Sequence, residues 1–323
     1  MSKQMKINNE IAVFGLGRMG AQTVRRLCGK GFRVLAWNRS EGPVLEIRRK
    51  KIWASTDLSE VVAKMAGKTR LFWIQLPHSV MDSFVIGDEG LGKYLKKGDV
   101  VVDAGNSFYK DTIRRSKILS KKGIHYFDCG TSGGVWGEKN GFALMIGGPA
   151  PLWPKIRPFA QALSSGLNFG YLGESGAGHF AKMVHNGIEY GMMEAIGEGY
   201  AVLEKSPFRY NLKEVTRIYK EGTVIRSWLI DLCYNIFKDE DVRGTVGKID
   251  STGEGEWTVN TAKELGVDAR VIEDSLHVRK ESFNKKDWSK FSNKIVALLR
   301  KQFGGHAIHP KGSSKAVNKF RSS

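Results

Sequence analysis

With 323 residues the chain is long for one hydrophobic core and comfortable for two, and 41% hydrophobic residues are ordinary for a globular protein. The formal net charge of +18 points to anionic partners, yet no zinc-finger spacing or aromatic–basic ribonucleoprotein motif accompanies it, so nucleic acid is the weakest candidate among them. No apolar run is long enough for a membrane span, the N-terminus lacks a secretory apolar region, and Cys28, Cys129 and Cys233 form no CxxC. The expected protein is therefore cytoplasmic, with reduced thiols and no metal.

In chain order, residues 1–175 alternate short β-branched or aromatic runs with helical stretches. The strands expected are 11–14, 33–37, 71–76, 99–104, 124–128 and 142–148. Strands alternating with helices predict an α/β domain with a Rossmann-like, doubly wound parallel sheet. From residue 176 the texture turns helical, at 178–203, 212–238, 259–284 and 288–303, which predicts an all-α domain over 176–310. The basic segment 311–323 reads as a loosely docked tail.

The first strand runs into "GLGRMG", with Gly15, Gly17 and Gly20 in G-x-G-x-x-G spacing around Leu16, Arg18 and Met19. Gly15 permits a tight turn, Gly17 lets a pyrophosphate approach the backbone, and Gly20 lets the helix pack close to the sheet. The second strand ends in Asn38, Arg39 and Ser40, where an NAD enzyme usually carries an acid for the ribose hydroxyl. A donor, a cation and a hydroxyl suit the 2′-phosphate of NADP, with NAD as the alternative.

The helix predicted at 178–203 breaks the usual amphipathic rule. Its i, i+3, i+4, i+7 stripe holds Lys182, His185, Asn186 and Glu189 in an otherwise apolar segment. A second stripe, Gly187, Gly191, Ala195 and Gly199, is nearly bare backbone, which suggests close packing against a neighbouring element.

Four stretches, "VVDAGNSFYKDTIRR", "GTSGGVWGEKNGFALMIGG", "KMVHNGIEYG" and "LRKQFGGHAI", closely resemble the decarboxylating 6-phosphogluconate dehydrogenases, in their short form, over residues 11 to about 308. The resemblance implies oxidation of a secondary alcohol, loss of CO2 from the β-keto acid, and protonation of the enediol. It implies Lys182 as the base that later polarises the carbonyl and Glu189 as the final acid, with His185 and Asn186 orienting the substrate. Asn106 matches a position near nicotinamide and substrate, and Ser132, Gly133 and Gly134 match the turn that binds the sugar acid. Tyr190 and Arg279 match phosphate contacts, and Arg300 and His306 match a pair that reaches into a neighbouring subunit's site. The implied partners are 6-phosphogluconate and further copies of the chain, as dimer or tetramer. Where the long form has a phosphate-binding lysine, this chain offers Thr252 and Glu254, with Lys248 as a substitute cation. A non-decarboxylating β-hydroxyacid dehydrogenase and a non-catalytic dinucleotide sensor remain as alternatives.

Overall fold

A computed structural model describes residues 9–67 and 69–308, so the segment 311–323 lies outside the described residues. The chain divides into two compact units, Met1–Val184 and His185–Ser323.

The first unit is built on an eight-stranded sheet in the order β3-β2-β1-β4-β5-β6-β7-β8. Strands β1 (Glu10–Phe14), β2 (Arg33–Trp37), β3 (Ala54–Ser55), β4 (Leu71–Ile74), β5 (Val100–Asp103) and β6 (His125–Ser132) pair in parallel. Between them run α1 (Arg18–Gly29), α2 (Glu41–Arg49), α3 (Leu58–Ala63), α4 (Met81–Val85) and α5 (Tyr109–Lys121). The sheet continues through α6 (Gly137–Asn140), β7 (Phe142–Gly147), α7 (Trp153–Leu163) and β8 (Ser164–Gly173). The β1 strand is apolar at nearly every position because both of its faces are covered. Ile11 and Val13 join the core on one side of the sheet, while Ala12 and Phe14 join the core on the other. The sheet order reverses between β1 and β4, and in open α/β sheets such a switch point is where the strand ends open a crevice.

The expected doubly wound sheet is present, with its last two strands, β7 and β8, reversed relative to the others. β7 runs antiparallel to β6 because the connection Gly133–Gly141 is too short for a helical crossover. Two strands were not expected. β3 is only two residues long, and β8, "SSGLNFGYLG", is glycine-rich, irregular in register and on the sheet edge, with Leu167 93% exposed.

Helix α8 (Ala177–Lys205) starts in the first unit and runs on into the second. The second unit adds α9 (Leu212–Gly222), α10 (Trp228–Asp239), α11 (Glu254–Glu264), α12 (Arg270–Glu281) and α13 (Phe291–Gly304) around a core that includes Met193, Cys233, Ile236 and Ile295–Leu299. The expected helices 212–238 and 259–284 are each split in two. Ser227 caps α10 by accepting from the Ile230 N–H at 3.3 Å, which ends the continuity with α9. After α11 the chain closes a Schellman turn, with Gly266 at φ +70° and N–H bonds from Gly266 to Lys263 and from Val267 to Ala262. The glycine stripe on α8 serves packing. A Cβ on Gly187 would press on Thr258 of α11, and one on Gly191 would touch Val271 of α12, although Gly199 faces open space.

Gly266→Val should lower stability by about 1–2 kcal/mol, the cost of a Cβ in the left-handed region, and Gly266→Asn by less. Urea midpoints measure this, and an unshifted midpoint for the valine variant would rule out the turn as the break between α11 and α12.

Candidate active site

At the switch point the glycine turn has the shape needed to hold a dinucleotide. Gly15 sits at φ +93°, where a Cβ would strike the Gln75 carbonyl 2.5 Å away, and a Cβ on Gly20 would collide with the Gly15 carbonyl. Above Gly17 there is nothing within 4 Å, and as the N-cap of α1 it brings no side chain to the helix end. That leaves an open, N–H-lined approach for a pyrophosphate. Leu16 and Gly20 are buried, Met19 is half-buried and Arg18 is exposed. Asn38 is tied to the glycine turn. Its Oδ1 accepts from the Leu16 N–H at 2.9 Å, and its Nδ2 donates to the Ser40 carbonyl at 3.1 Å. Arg39 and Ser40 are exposed at the start of α2.

Asn106, after β5, adopts φ 55°, a strained backbone for a non-glycine residue. Its amide clamps β6, with Oδ1 accepting from the Thr131 N–H at 2.9 Å and Nδ2 donating to the Thr131 carbonyl at 3.2 Å. The next residue is Ser132, and Gly133 and Gly134 follow at φ +126° and +51°. The Gln22 side chain of α1 reaches the Gly134 carbonyl at 3.4 Å, so this turn is tied to the glycine-turn helix.

Lys182 is fixed from two directions. Asp128, fully buried on β6, accepts from the Gly176 and His179 N–H groups, each at 2.7 Å, and so caps the start of α8 from another element. Burial pushes its carboxyl up, while His179 and the two N–H donors oppose this. Glycines clear the path for the helix. A Cβ on Gly130 would collide with the Lys182 stem, and those on Gly147 and Gly178 would strike backbone across the β7–α8 contact. Lys182, 6% exposed, therefore lies against β6 two residues before Ser132. Neither Asp128 nor its register partner Asp103, which holds Ser107 and Tyr126, had been singled out from the sequence. The signal was a carboxylate following an apolar run, VVV before Asp103 and YF before Asp128.

Further along α8, His185 Nδ1 lies 3.0 Å from Asn186 Oδ1 and 3.8 Å from Glu189 Oε2, so these three form one polar row. In the second unit the Arg279 guanidinium stacks on the Tyr190 ring at 3.3 Å, and a Cβ on Gly255 would press on the other part of that ring. Burial, with Arg279 nearby, pulls the Arg300 guanidinium down. Two crowded buried cations of this kind call for an anion. Arg300 itself is buried on α13, with Arg279 of the same chain among the charges that act on it. His306 lies beyond α13, edge-on to Phe303. Thr252 donates to Glu254 and Lys248 pairs with Asp250 at 3.8 Å, so neither Thr252 nor Lys248 is idle. Among the described residues no group of acids, histidines and cysteines could hold a metal ion, and no helix is long and apolar enough to cross a membrane.

Two family models match, the NAD binding domain of 6-phosphogluconate dehydrogenase over residues 10–173 and the 6-phosphogluconate dehydrogenase C-terminal domain over 178–321. A Bacillus subtilis protein with a provisional 6-phosphogluconate dehydrogenase name, YqeC, is 39% identical over 94% of this chain and all of its own. The NAD(+)-dependent, decarboxylating 6-phosphogluconate dehydrogenase of Haloferax volcanii is 34% identical over 94% of this chain and 99% of its own. The Plasmodium falciparum 6-phosphogluconate dehydrogenase, whose structure was solved with NADP+ and with 6-phosphogluconate, superposes with a TM-score of 0.78 at 28% identity. That match covers 86% of this chain and 62% of the longer one.

Removing the cap should be expensive. Asp128→Ala strands two buried N–H groups and should cost about 2–4 kcal/mol in urea unfolding, with Asp128→Asn losing less. A loss under about 0.5 kcal/mol for alanine would mean the carboxylate does not anchor α8.

Proposed function

The chain belongs to the 6-phosphogluconate dehydrogenase family, and on that premise we propose that it converts 6-phospho-D-gluconate to D-ribulose 5-phosphate and CO2, a step of the pentose phosphate pathway, with NADP as oxidant. The observation that supports this most is the placement of buried Lys182 against β6, beside the Ser132–Gly134 turn, on a helix whose start is anchored by Asp128.

The bound dinucleotide supplies the hydride acceptor, held by Gly15–Gly20 and bordered by Asn106. Lys182 Nζ takes the proton of the C3 hydroxyl as that carbon is oxidised. As an ammonium it then hydrogen-bonds the new carbonyl oxygen, so the electron pair left by departing CO2 collects on that oxygen and no metal is needed. Glu189, two turns further along α8, gives a proton to the carbon that lost CO2. His185 and Asn186 lie between them and hold substrate hydroxyls, while Ser132, Gly133 and Gly134 take the carboxylate. Tyr190, Arg279 and Arg300 take the phosphate, where planar guanidinium groups match its oxygens.

For the cofactor, Asn38, Arg39 and Ser40 stand after β2 where an acid would repel a 2′-phosphate, and with Arg39 and Ser40 exposed they favour NADP. NAD has its own support, since the Haloferax relative carries an NAD(+)-dependent name. We read the protein as a cytoplasmic homo-oligomer. Exposed apolar side chains on the helical unit, among them Phe208, Val224, Ile225 and Trp228, support self-association.

Lys182→Ala should abolish turnover of 6-phosphogluconate, followed by nicotinamide absorbance, while NADP affinity stays within about three-fold. Substantial residual activity would remove Lys182 from the chemistry. Arg39→Ala should lower kcat/KM for NADP at least about ten-fold more than for NAD; equal losses with the two cofactors would end the 2′-phosphate reading.

A further inference from the structure

Six buried polar atoms that have no hydrogen-bond partner among the described residues meet at one place in the helical unit. They are the Tyr190 hydroxyl, both carboxylate oxygens of Glu194, and Nε, Nη1 and Nη2 of Arg279. Arg279 is 1% exposed and Glu194 4%. Their closest approach is 3.9 Å, an ion pair without a hydrogen bond. Each such orphan costs about 1–3 kcal/mol, so the cluster is a site built to receive a ligand. The guanidinium and the hydroxyl are donors, as an anion with several oxygens requires. Glu194 is the exception. Ionised, it is an acceptor only, and it would face the incoming anion with a like charge. Protonated, it offers an O–H donor to that anion and relieves the repulsion.

We propose that Glu194 is a specificity-determining residue that binds a phosphate monoester together with one proton, its carboxyl being neutral whenever the Arg279–Tyr190 site is occupied. The proposal rests on reading that site as the phosphate end of 6-phosphogluconate. The surroundings agree. Burial raises the Glu194 carboxyl to about 7, Glu198 on the same helix adds repulsion, and Arg279 of α12 opposes both. Beyond Arg279 stands Arg300 of α13, itself influenced by Tyr190, Asp250 and Glu189. An occupying anion raises the Glu194 carboxyl further. Below about pH 7 the proton is already in place and binding takes up none. Above it each anion bound draws one proton from solvent, so affinity falls by up to about ten-fold per pH unit.

Sulfate is the probe of choice because its own charge is constant across this range. Its affinity is measured from about pH 6 to about pH 8.5 on the whole protein by calorimetry, in two buffers of different ionisation enthalpy, for the wild type and Glu194→Gln. The expected result is uptake of close to one proton per sulfate by the wild type at alkaline pH, and loss of that uptake in the glutamine variant, whose amide still donates a hydrogen bond. Equal uptake in both proteins, or none in the wild type, overturns the proposal, as does failure of the wild type to bind sulfate. If the glutamine variant does not fold, Glu194→Asp takes its place, and absence of uptake by the wild type overturns the proposal without either variant. With 6-phosphogluconate, the same linkage should make KM rise above about pH 7 in the wild type relative to the variant, with kcat following one profile in both. Absence of any turnover, alongside Glu194-linked sulfate binding, would sink the substrate reading and leave the proton-coupled anion site standing.

Discussion

Everything at the chemical end of the first unit depends on how closely α8 is allowed to approach the sheet. A helix normally stands about 10 Å from a sheet because side chains separate the two. Here Gly130 on β6, Gly147 on β7 and Gly178 on α8 remove those side chains where the backbones meet. The buried Asp128 carboxylate then supplies what a helix start lacks, acceptors for its first N–H groups, across a distance of 51 residues in sequence to His179. Close approach without the cap would bury unsatisfied donors, and a cap without close approach would not reach. The two devices require each other, and together they fix the point at which the Lys182 stem leaves the helix.

The second unit solves a different problem by a comparable economy of side chains. Gly187 and Gly191 admit Thr258 and Val271, which draws α11 and α12 onto the face of α8 that bears Tyr190 and Glu194. Gly255 flattens the approach to the Tyr190 ring, and Arg279 lies on that ring. The positive charge that dominates the composition is thus mostly solvated surface, and Arg279 and Arg300 are exceptions held inside the helical unit. Net charge signals an anionic partner only loosely; the specific signal is a guanidinium held out of water without a full set of acceptors.

Much of this was legible beforehand because it rests on local rules. The glycine turn is a matter of spacing after an apolar strand, and the α8 stripe is a matter of helical periodicity. What escaped was set by non-local facts. The bonds of the Asn38 amide to Leu16 and Ser40 are visible only once β1 and β2 are paired. The β8 strand is held by pairing to β7 against its own weak propensity, and the reversal of β7 follows from a connection length. The helix breaks at Ser227 and Gly266 were locally encoded, by a capping serine and a left-handed glycine, and continuous apolar periodicity on either side concealed them. Asp128 and Glu194 are single acids in apolar surroundings, whose partners lie far away in the chain or outside it.

The cap on α8 also dictates where the polypeptide can be divided. The strands of the nucleotide-binding unit end at Gly173, and a cut there would look natural. Such a fragment would keep the Asp128 carboxylate and lose the two amides that neutralise it, and it would lay bare a glycine-lined floor made for a helix. The smallest autonomous nucleotide-binding piece of this chain therefore carries the opening turns of α8. An expression boundary, a fusion joint or a protease nick is tolerated beyond Lys182 more readily than before Gly176.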